Sequence, residues 1–357
     1  MRHLNLAIFI PHAGCPHRCS FCDQRAISGQ TVPVRAEEVE RLCRETLERW
    51  KGRFPQGAGV GAKAQSEISF FGGSFTAIDR GYMVELLEAA RPFVGPEGFG
   101  GIRISTRPDA IDREVLTLLK SYGVTSIELG AQSMDDWVLR LNRRGHTAAQ
   151  VEEASRLIRE MDFSLGLQMM TGLYGDTDEG ARETARQLAE LGPDTVRIYP
   201  TVVLKDTELA WLYEGGGYQP PDVEQSLPLC CDLLDFFEGR GIQVIRLGLH
   251  PSEELEENMV AGAYHPAFRE LCEGERFYRR ILALLEGQRD REGALPRTMT
   301  LLANAKDLSK AIGQGKRNLR RLEAMGCKAA VLPDEAVEPG SLAIGQTSPR
   351  SRAASEG

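Results

Sequence analysis

The run Leu4-Asn5-Leu6-Ala7-Ile8-Phe9-Ile10, followed closely by Cys15-Pro16-His17-Arg18-Cys19-Ser20-Phe21-Cys22, carries the first architectural signal of the chain. The apolar run reads as a strand, and three thiols spaced C-x3-C-x2-C sit in the loop that leaves it. Such a loop can wrap three sulfurs around one metal centre, whereas a regular helix or strand at this spacing would scatter them. Thiolates are soft ligands that suit zinc or iron–sulfur clusters. A structural site is normally closed by a fourth protein ligand, while a three-ligand site leaves one coordination position for chemistry. The residues alone allow cysteines without a metal, a zinc site closed by His12 or His17, or a [4Fe-4S] cluster with one iron open.

Outward from that loop, the 357 residues suffice for one large domain with an appendage. A net charge of −8 does not suggest a globally basic nucleic-acid binder, although a local basic patch could still serve. No apolar run reaches the length of a membrane span, and the N-terminal residues carry no secretory apolar segment. Eight cysteines, three of them clustered, suit a reducing cytoplasm better than a disulfide framework.

Short apolar strands then alternate with amphipathic helices. Val39, Leu42, Cys43, Thr46, Leu47 and Trp50 share one helical face, which makes Cys43 a packed core thiol. Residues 52–65 read as a Gly/Ala-rich linker. Further strands are predicted at 67–71, 101–105, 125–129, 164–170 and 195–199, with helices near 79–91, 115–119, 147–161, 177–191 and 227–237. This rhythm predicts an α/β fold, a partial or full parallel (β/α) TIM-like barrel with its functional loops at the strand C-terminal ends.

Those strand ends hold the remaining candidates. Gly72 and Gly73, after Phe71, let backbone approach a ligand closely. Thr106-Arg107-Pro108-Asp109 ends the third strand, Glu128 and Gln132 flank the end of the fourth, and Arg144 follows. Gln168 interrupts an otherwise apolar fifth strand. Buried polar side chains need partners, so their convergence at one rim suggests a ribose-and-carboxylate pocket. Arg143 reads instead as a solvated charge.

The cysteine spacing, with Phe21 before the third thiol, and the Gly72-Gly73 pair together resemble the radical SAM superfamily. More narrowly, Thr106-Arg107-Pro108-Asp109, Gly130-Ala131-Gln132-Ser133, Asn142-Arg143-Arg144-Gly145-His146-Thr147 and Tyr199-Pro200-Thr201-Val202-Val203 resemble the radical SAM domain of the Elongator catalytic subunit family, over roughly residues 4 to 215. The resemblance implies a [4Fe-4S] cluster on Cys15, Cys19 and Cys22, and S-adenosylmethionine (SAM) on its open iron. It implies that Gly72 and Gly73 meet the methionyl amino group. Gln132, Arg144 and Gln168 would contact the ribose or methionine part, with Phe21, Thr106 and Glu128 beside them. It further implies reductive SAM cleavage to a 5′-deoxyadenosyl radical, fed by a one-electron donor such as flavodoxin or ferredoxin. It identifies no catalytic side chain. Three features depart from the pattern: Ser74 stands where family members often have Glu, the cysteine spacing is tighter than in Elongator-type enzymes, and no acetyltransferase domain follows.

The C-terminal part reads as one more strand at 242–249, a helical stretch at 264–286, and a strand-helix-strand module from Arg297 to Leu332. Between Lys306 and Lys328, seven Lys and Arg face two acids, a local excess that suits phosphates. The expected organisation is a barrel over 1–250, a small α/β extension over 251–333 and a disordered tail over 334–357. The expected function is a radical SAM enzyme acting on tRNA. The alternatives are action on a small metabolite, or a non-catalytic zinc-stabilised module.

Overall fold

The structure is a computed structural model that describes residues 5–10, 15, 18–23, 32–51 and 66–345. Contacts divide the chain into two compact units. The first comprises the residues up to Ser226 together with Leu233–Pro266, and the second comprises Leu227–Asp232 and the residues from Ala267 onward.

In the first unit, the main sheet has seven strands among the described residues: β1 (Leu6–Phe9), β2 (Glu67–Phe71), β3 (Gly101–Thr106), β4 (Val124–Gln132), β5 (Ser164–Thr171), β6 (Thr195–Pro200) and β8 (Gln243–Leu247). They pair in chain order, every pair parallel, into the curled sheet of a partial (β/α) barrel. Parallel neighbours require crossovers, supplied by α1 (Ala36–Lys51), α2 (Arg80–Ala90), α3 (Arg113–Ser121), α4 (Asp136–Leu141), α5 (Ala148–Glu160) and α6 (Asp178–Glu190). The predicted apolar faces are the buried ones: Val39 and Cys43 on α1, and Val115, Leu116 and Leu119 on α3, are buried. Burial on both faces explains why β4 is buried at every residue but Thr125. Local chemistry starts the helices. Asp112 and Asp135 cap α3 and α4, and Thr147 with Gln150 forms a reciprocal capping box on α5.

An element absent from the sequence reading is β7 (Val202–Leu204), which pairs antiparallel with β9 (Met259–Gly262) beyond the parallel sheet. The helices α7 (Glu208–Glu214), α8 (Val223–Glu238) and α9 (Glu253–Asn258) complete this part of the chain. The linker expected at residues 52–65 lies outside the described residues.

In the second unit, the long helix α10 (Phe268–Glu292) precedes β10 (Thr298–Ala303), α11 (Leu308–Ile312), α12 (Arg317–Ala324), β11 (Lys328–Pro333) and β12 (Leu342–Ile344). β10 pairs parallel with β11 and antiparallel with β12. Tyr278, Ile281 and Leu285 of α10 pack against Met299 and Leu301 of β10 and Leu322 of α12. The strand-helix-strand reading therefore holds, but residues 334–345 depart from the expected tail. Leu342–Ile344 finds a partner strand in β10, so a segment too polar to fold alone is ordered by edge pairing. Residues 346–357 lie outside the described residues. Among the described residues, no helix is long and apolar enough to cross a membrane.

Candidate active site at the strand ends

Alternation along the parallel strands sends every second side chain into the barrel. At mid-height these side chains form a closed ionic layer. Glu128 of β4 is 1% exposed and receives two bonds from Arg197 of β6, at 2.6 and 2.9 Å. Arg103 of β3 donates to it at 3.1 Å and Gln168 of β5 at 3.0 Å. Arg103 also donates to Glu67 of β2 at 2.6 Å, and Glu67 accepts from Ser126. Burial alone would raise the Glu128 pKa, but the charge and hydrogen bonds of Arg197, with Arg103 and Gln168, hold it below the usual carboxylate range. Gly166 makes room for this carboxylate, since a Cβ there would lie 2.7 Å from Glu128 Cγ.

One strand-step higher, the side chains open onto a cavity of about 410 Å³ at the C-terminal ends of the strands. Cys15, Cys19 and Cys22 all line it, with Phe21, Gly72, Gly73, Thr106, Gln132, Arg144 and Gln168. The structure thus brings together every predicted site residue except Glu128. That residue is corrected from a mouth group to a core group, because both of its oxygens are taken by Arg103, Arg197 and Gln168 one layer down. Arg143 stays outside, exposed and paired with Glu208 at 2.7 Å.

The rim is built but incompletely paired. Gly72 and Gly73 both take positive φ, 81° and 58°, which bends the backbone after β2 along the cavity wall. Ser74, in the position where a Glu was the comparison, is buried and bonds Thr106 Oγ1 at 3.1 Å, and it accepts from the Arg107 N–H at 3.0 Å. Thr106 also bonds Thr76 at 2.6 Å. Arg107 is gripped by Asp109 at 2.8 and 3.0 Å and donates to the Arg144 carbonyl at 2.6 Å, yet its Nη1 is buried without a partner. Arg144 donates to the Gly130 carbonyl at 2.6 Å and to Cys19 Sγ at 3.2 Å, while its Nε is unpartnered. Gln132, held at φ 67° beyond the bulge that ends β4, also leaves its Oε1 unpartnered. A Cβ on Gly130 would sit 3.0 Å from Gln132 Nε2 and 3.3 Å from Arg144 Nη2, so glycine there keeps the cradle open.

Among the described residues, four arginines line the cavity (Arg18, Arg107, Arg144 and Arg197) and no Asp or Glu does. In a chain of net charge −8, that wall favours anionic ligands. Burial and neighbouring Cys19 raise the Cys15 pKa, while Arg107 and Arg144 pull it down. Behind the rim, His146 bonds the Ala131 carbonyl at 3.1 Å; burial first, then Arg144, push its pKa down to about 4. Arg197, Tyr199 and His250 also line the cavity; of these the sequence reading quotes only Tyr199, within a stretch that carries the resemblance and not as a site residue. The available signal was an Arg interrupting apolar β6, just as Gln168 interrupts β5. His250 is exposed as a residue, yet desolvation and the charges of Arg246 and Arg197 push its pKa down to about 4, leaving a neutral imidazole near pH 7.

Among the described residues no three His, Cys, Asp or Glu side chains converge tightly enough to surround a single ion. In a cubane each thiolate meets a different iron, so its ligands need only line one pocket. Three soft donors on one wall, with the Arg144 guanidinium at 3.2 Å from a sulfur, fit that anionic group.

The profile of the radical SAM superfamily matches residues 9–188. The chain belongs to the radical SAM superfamily. The radical SAM C-terminal domain profile matches residues 193–276. Its cofactors are those of the superfamily, a [4Fe-4S] cluster and SAM, and membership replaces the reading of a zinc-stabilised module. His12 and His17, the fourth ligands which that reading needed, lie outside the described residues. Among curated relatives, an uncharacterized protein of Methanocaldococcus jannaschii is 28% identical over 62% of this chain and 68% of its own length. A tRNA uridine(34) acetyltransferase of Dehalococcoides mccartyi is 27% identical over 60% of this chain, which spans 52% of that protein. The human Elongator complex protein 3 is 34% identical over 33% of this chain and 22% of its own. The chain thus spans about half or less of the length of these last two relatives. Among solved structures, the archaeal Elp3 of Methanocaldococcus infernus superposes with a TM-score of 0.57 at 17% identity, covering 83% of this chain and 69% of that one. That likeness supports the partial-barrel fold of this radical SAM protein.

Proposed function

We propose that this radical SAM enzyme holds its cluster on Cys15, Cys19 and Cys22, binds SAM across the rim, and acts on an RNA of the tRNA class. The observation that carries the reading is the set of unpartnered buried atoms on the cavity wall: Arg107 Nη1, Arg144 Nε and Gln132 Oε1. Buried polar atoms are rarely left without partners, and two donors beside one acceptor suit a ligand with a carboxylate and a hydroxyl or amine. The open backbone of Gly72 and Gly73 fits the methionyl amino group, Phe21 and Thr106 flank it, and Gln168 offers an amide toward the ribose. When bound, the cofactors supply one-electron reductive cleavage of the SAM sulfonium, giving methionine and a 5′-deoxyadenosyl radical that abstracts hydrogen from the substrate. The chain's own part is positional: Asp109 fixes Arg107, Arg107 fixes the Arg144 backbone, and Arg144 sets its guanidinium between Cys19 and Gly130. The apolar wall of Phe9, Phe71, Met170, Val202 and Leu255 excludes water.

The RNA part rests on the tRNA-modifying relatives and on the basic segment of the second unit. In that segment, Lys310 is paired with Asp307 and Arg321 with Glu275, while Lys316, Arg320 and Lys328 are exposed. A flavodoxin- or ferredoxin-type donor in a reducing cytoplasm would supply the electron. The test is anaerobic: dithionite-reduced, reconstituted protein is given SAM with and without a tRNA transcript, and 5′-deoxyadenosine is measured. The reading expects cleavage that tRNA stimulates, with retention of label transferred from RNA deuterated at the target. Cleavage indifferent to tRNA, with no tRNA binding, would overturn the substrate assignment.

A further inference from the structure

Two of the chain's three tryptophans stand in solvent, Trp137 at 57% and Trp211 at 66% exposure. Tryptophan is highly buried on average, so a pair left out in water calls for a cause. Trp137 lies on α4 and Trp211 on α7, helices far apart in sequence that meet at the cysteine loop. The Ser20 N–H donates to the Asn142 carbonyl at the end of α4 at 3.1 Å, and the Ser20 carbonyl accepts from the Leu209 N–H in the first turn of α7 at 2.9 Å. Ser20 Oγ also bonds Asn142 Oδ1 at 2.8 Å, and Arg143 pairs with Glu208 across the same junction. Phe21 then packs against Val138, next to Trp137, and against Leu209 and Ala210, next to Trp211. At 1.5 Å of rise per residue, Trp137 is about 7 Å along its helix from the Ser20 anchor and Trp211 about 3 Å. Both tryptophans therefore belong to helices anchored on Ser20, in the loop between Cys19 and Cys22.

The surroundings decide what kind of partner they suit. Among the described residues, charged side chains are exposed close to both rings in sequence: Asp136, Arg140 and Arg143 near Trp137, and Glu214 near Trp211. A protein interface would centre its aromatic anchors in apolar surface that excludes water. Isolated rings beside guanidinium groups match the way unpaired bases are held, by stacking on aromatic faces. Arg140 already lies over the Trp137 ring at 5.2 Å, a composite face of indole and guanidinium. Acids and bases balance here, so stacking and not phosphate attraction is the contribution this surface can make.

We infer that Trp137 and Trp211 form a base-stacking platform that receives unpaired nucleotides of the RNA substrate and feeds one of them toward the cysteine-lined cavity. This rests on the RNA reading of the site and adds to it that the recognised feature is single-stranded. The test uses the full chain, reconstituted anaerobically, with Trp137→Ala, Trp211→Ala and the corresponding Phe variants. Binding of a tRNA transcript and of a fully duplex RNA of equal length is measured, alongside iron content and RNA-free SAM cleavage. Each Ala variant is expected to weaken tRNA binding roughly fivefold or more, with the Phe variants close to wild type and duplex binding weak throughout. The loss should persist at raised salt, where phosphate contacts fade. If both Ala variants bind tRNA like wild type, the platform is refuted while the RNA reading stands. If wild-type protein binds no RNA at all, the RNA reading itself fails, platform included. If the variants bind tRNA normally but lose SAM cleavage driven by flavodoxin, and keep it with dithionite, the surface docks a protein donor and the inference is overturned.

Discussion

At the floor of the cavity, Arg197 and Gln168 join Glu67, Arg103 and Glu128 in one bonded network, whereas at the rim Arg107, Gln132 and Arg144 leave buried atoms unpaired. The lower layer lies on the strands themselves, whereas Gln132 ends β4, Arg107 follows β3 and Arg144 sits in the loop after α4; both layers use arginine and glutamine. The lower one combines two carboxylates with two guanidinium groups and reads as neutral and self-sufficient. The upper one has an excess of positive charge and open hydrogen-bonding capacity. In one barrel, then, residue type does not separate structure from function, but completeness of pairing does.

The sharpest way to break that contrast is to remove the hub of the lower layer. Glu128→Ala strands Arg197 without its carboxylate and leaves Arg103 only Glu67, and the expected cost is about 3–5 kcal/mol in denaturant unfolding. A cost below about 1 kcal/mol would mean that the lower layer is not the ionic keystone described. Acid should also distinguish the layers. His146, behind the rim, has a folded pKa near 4 against an unfolded value near 6.5, so the unfolded state takes the proton first. Its contribution is full above pH 6.5 and declines to pH 4, by up to about 3 kcal/mol. His146→Leu should flatten that window in a stability–pH profile. Glu128, its pKa depressed by Arg197 and Arg103, contributes stability above pH 4.5 that is lost only in stronger acid. The smallest effect on folding is expected at the rim. Gln132→Met removes a buried acceptor that has no protein partner, so stability should stay within about 1 kcal/mol of wild type while SAM affinity drops roughly tenfold. A variant that unfolds easily yet binds SAM normally would invert the comparison.

Much of this was legible in the sequence, and the exceptions have physical reasons. Apolar periodicity marked the parallel strands and the faces of α1 and α3, because burial on both sheet faces leaves long apolar runs. The cysteine spacing and Gly72-Gly73 pointed to residues that the fold brings to one cavity. Glu128 was misplaced because alternation reveals which face a residue takes, not its height. Glu128 and Gln132 both lie on β4, but Gln132 is nearer its C-terminal end, past the bulge between Gly130 and Gln132. Arg197 was hidden in apolar β6: only its partners on other strands, Glu128 of β4 and the Phe71 ring of β2, tell what it does. The β7–β9 pair and β12 depend on partners distant in sequence, and short strands of that kind carry little local signal. Trp137 and Trp211 sit on helices whose patterning would suit burial or exposure equally.

The most direct test of the central claim is the iron and sulfide content of anaerobically reconstituted protein, wild type against Cys19→Ala, at matched thermal stability. The account predicts about four irons per wild-type chain and their loss in the variant, with SAM cleavage lost in parallel. Full iron retention by Cys19→Ala, or wild-type protein that takes up zinc and leaves SAM intact, would contradict it.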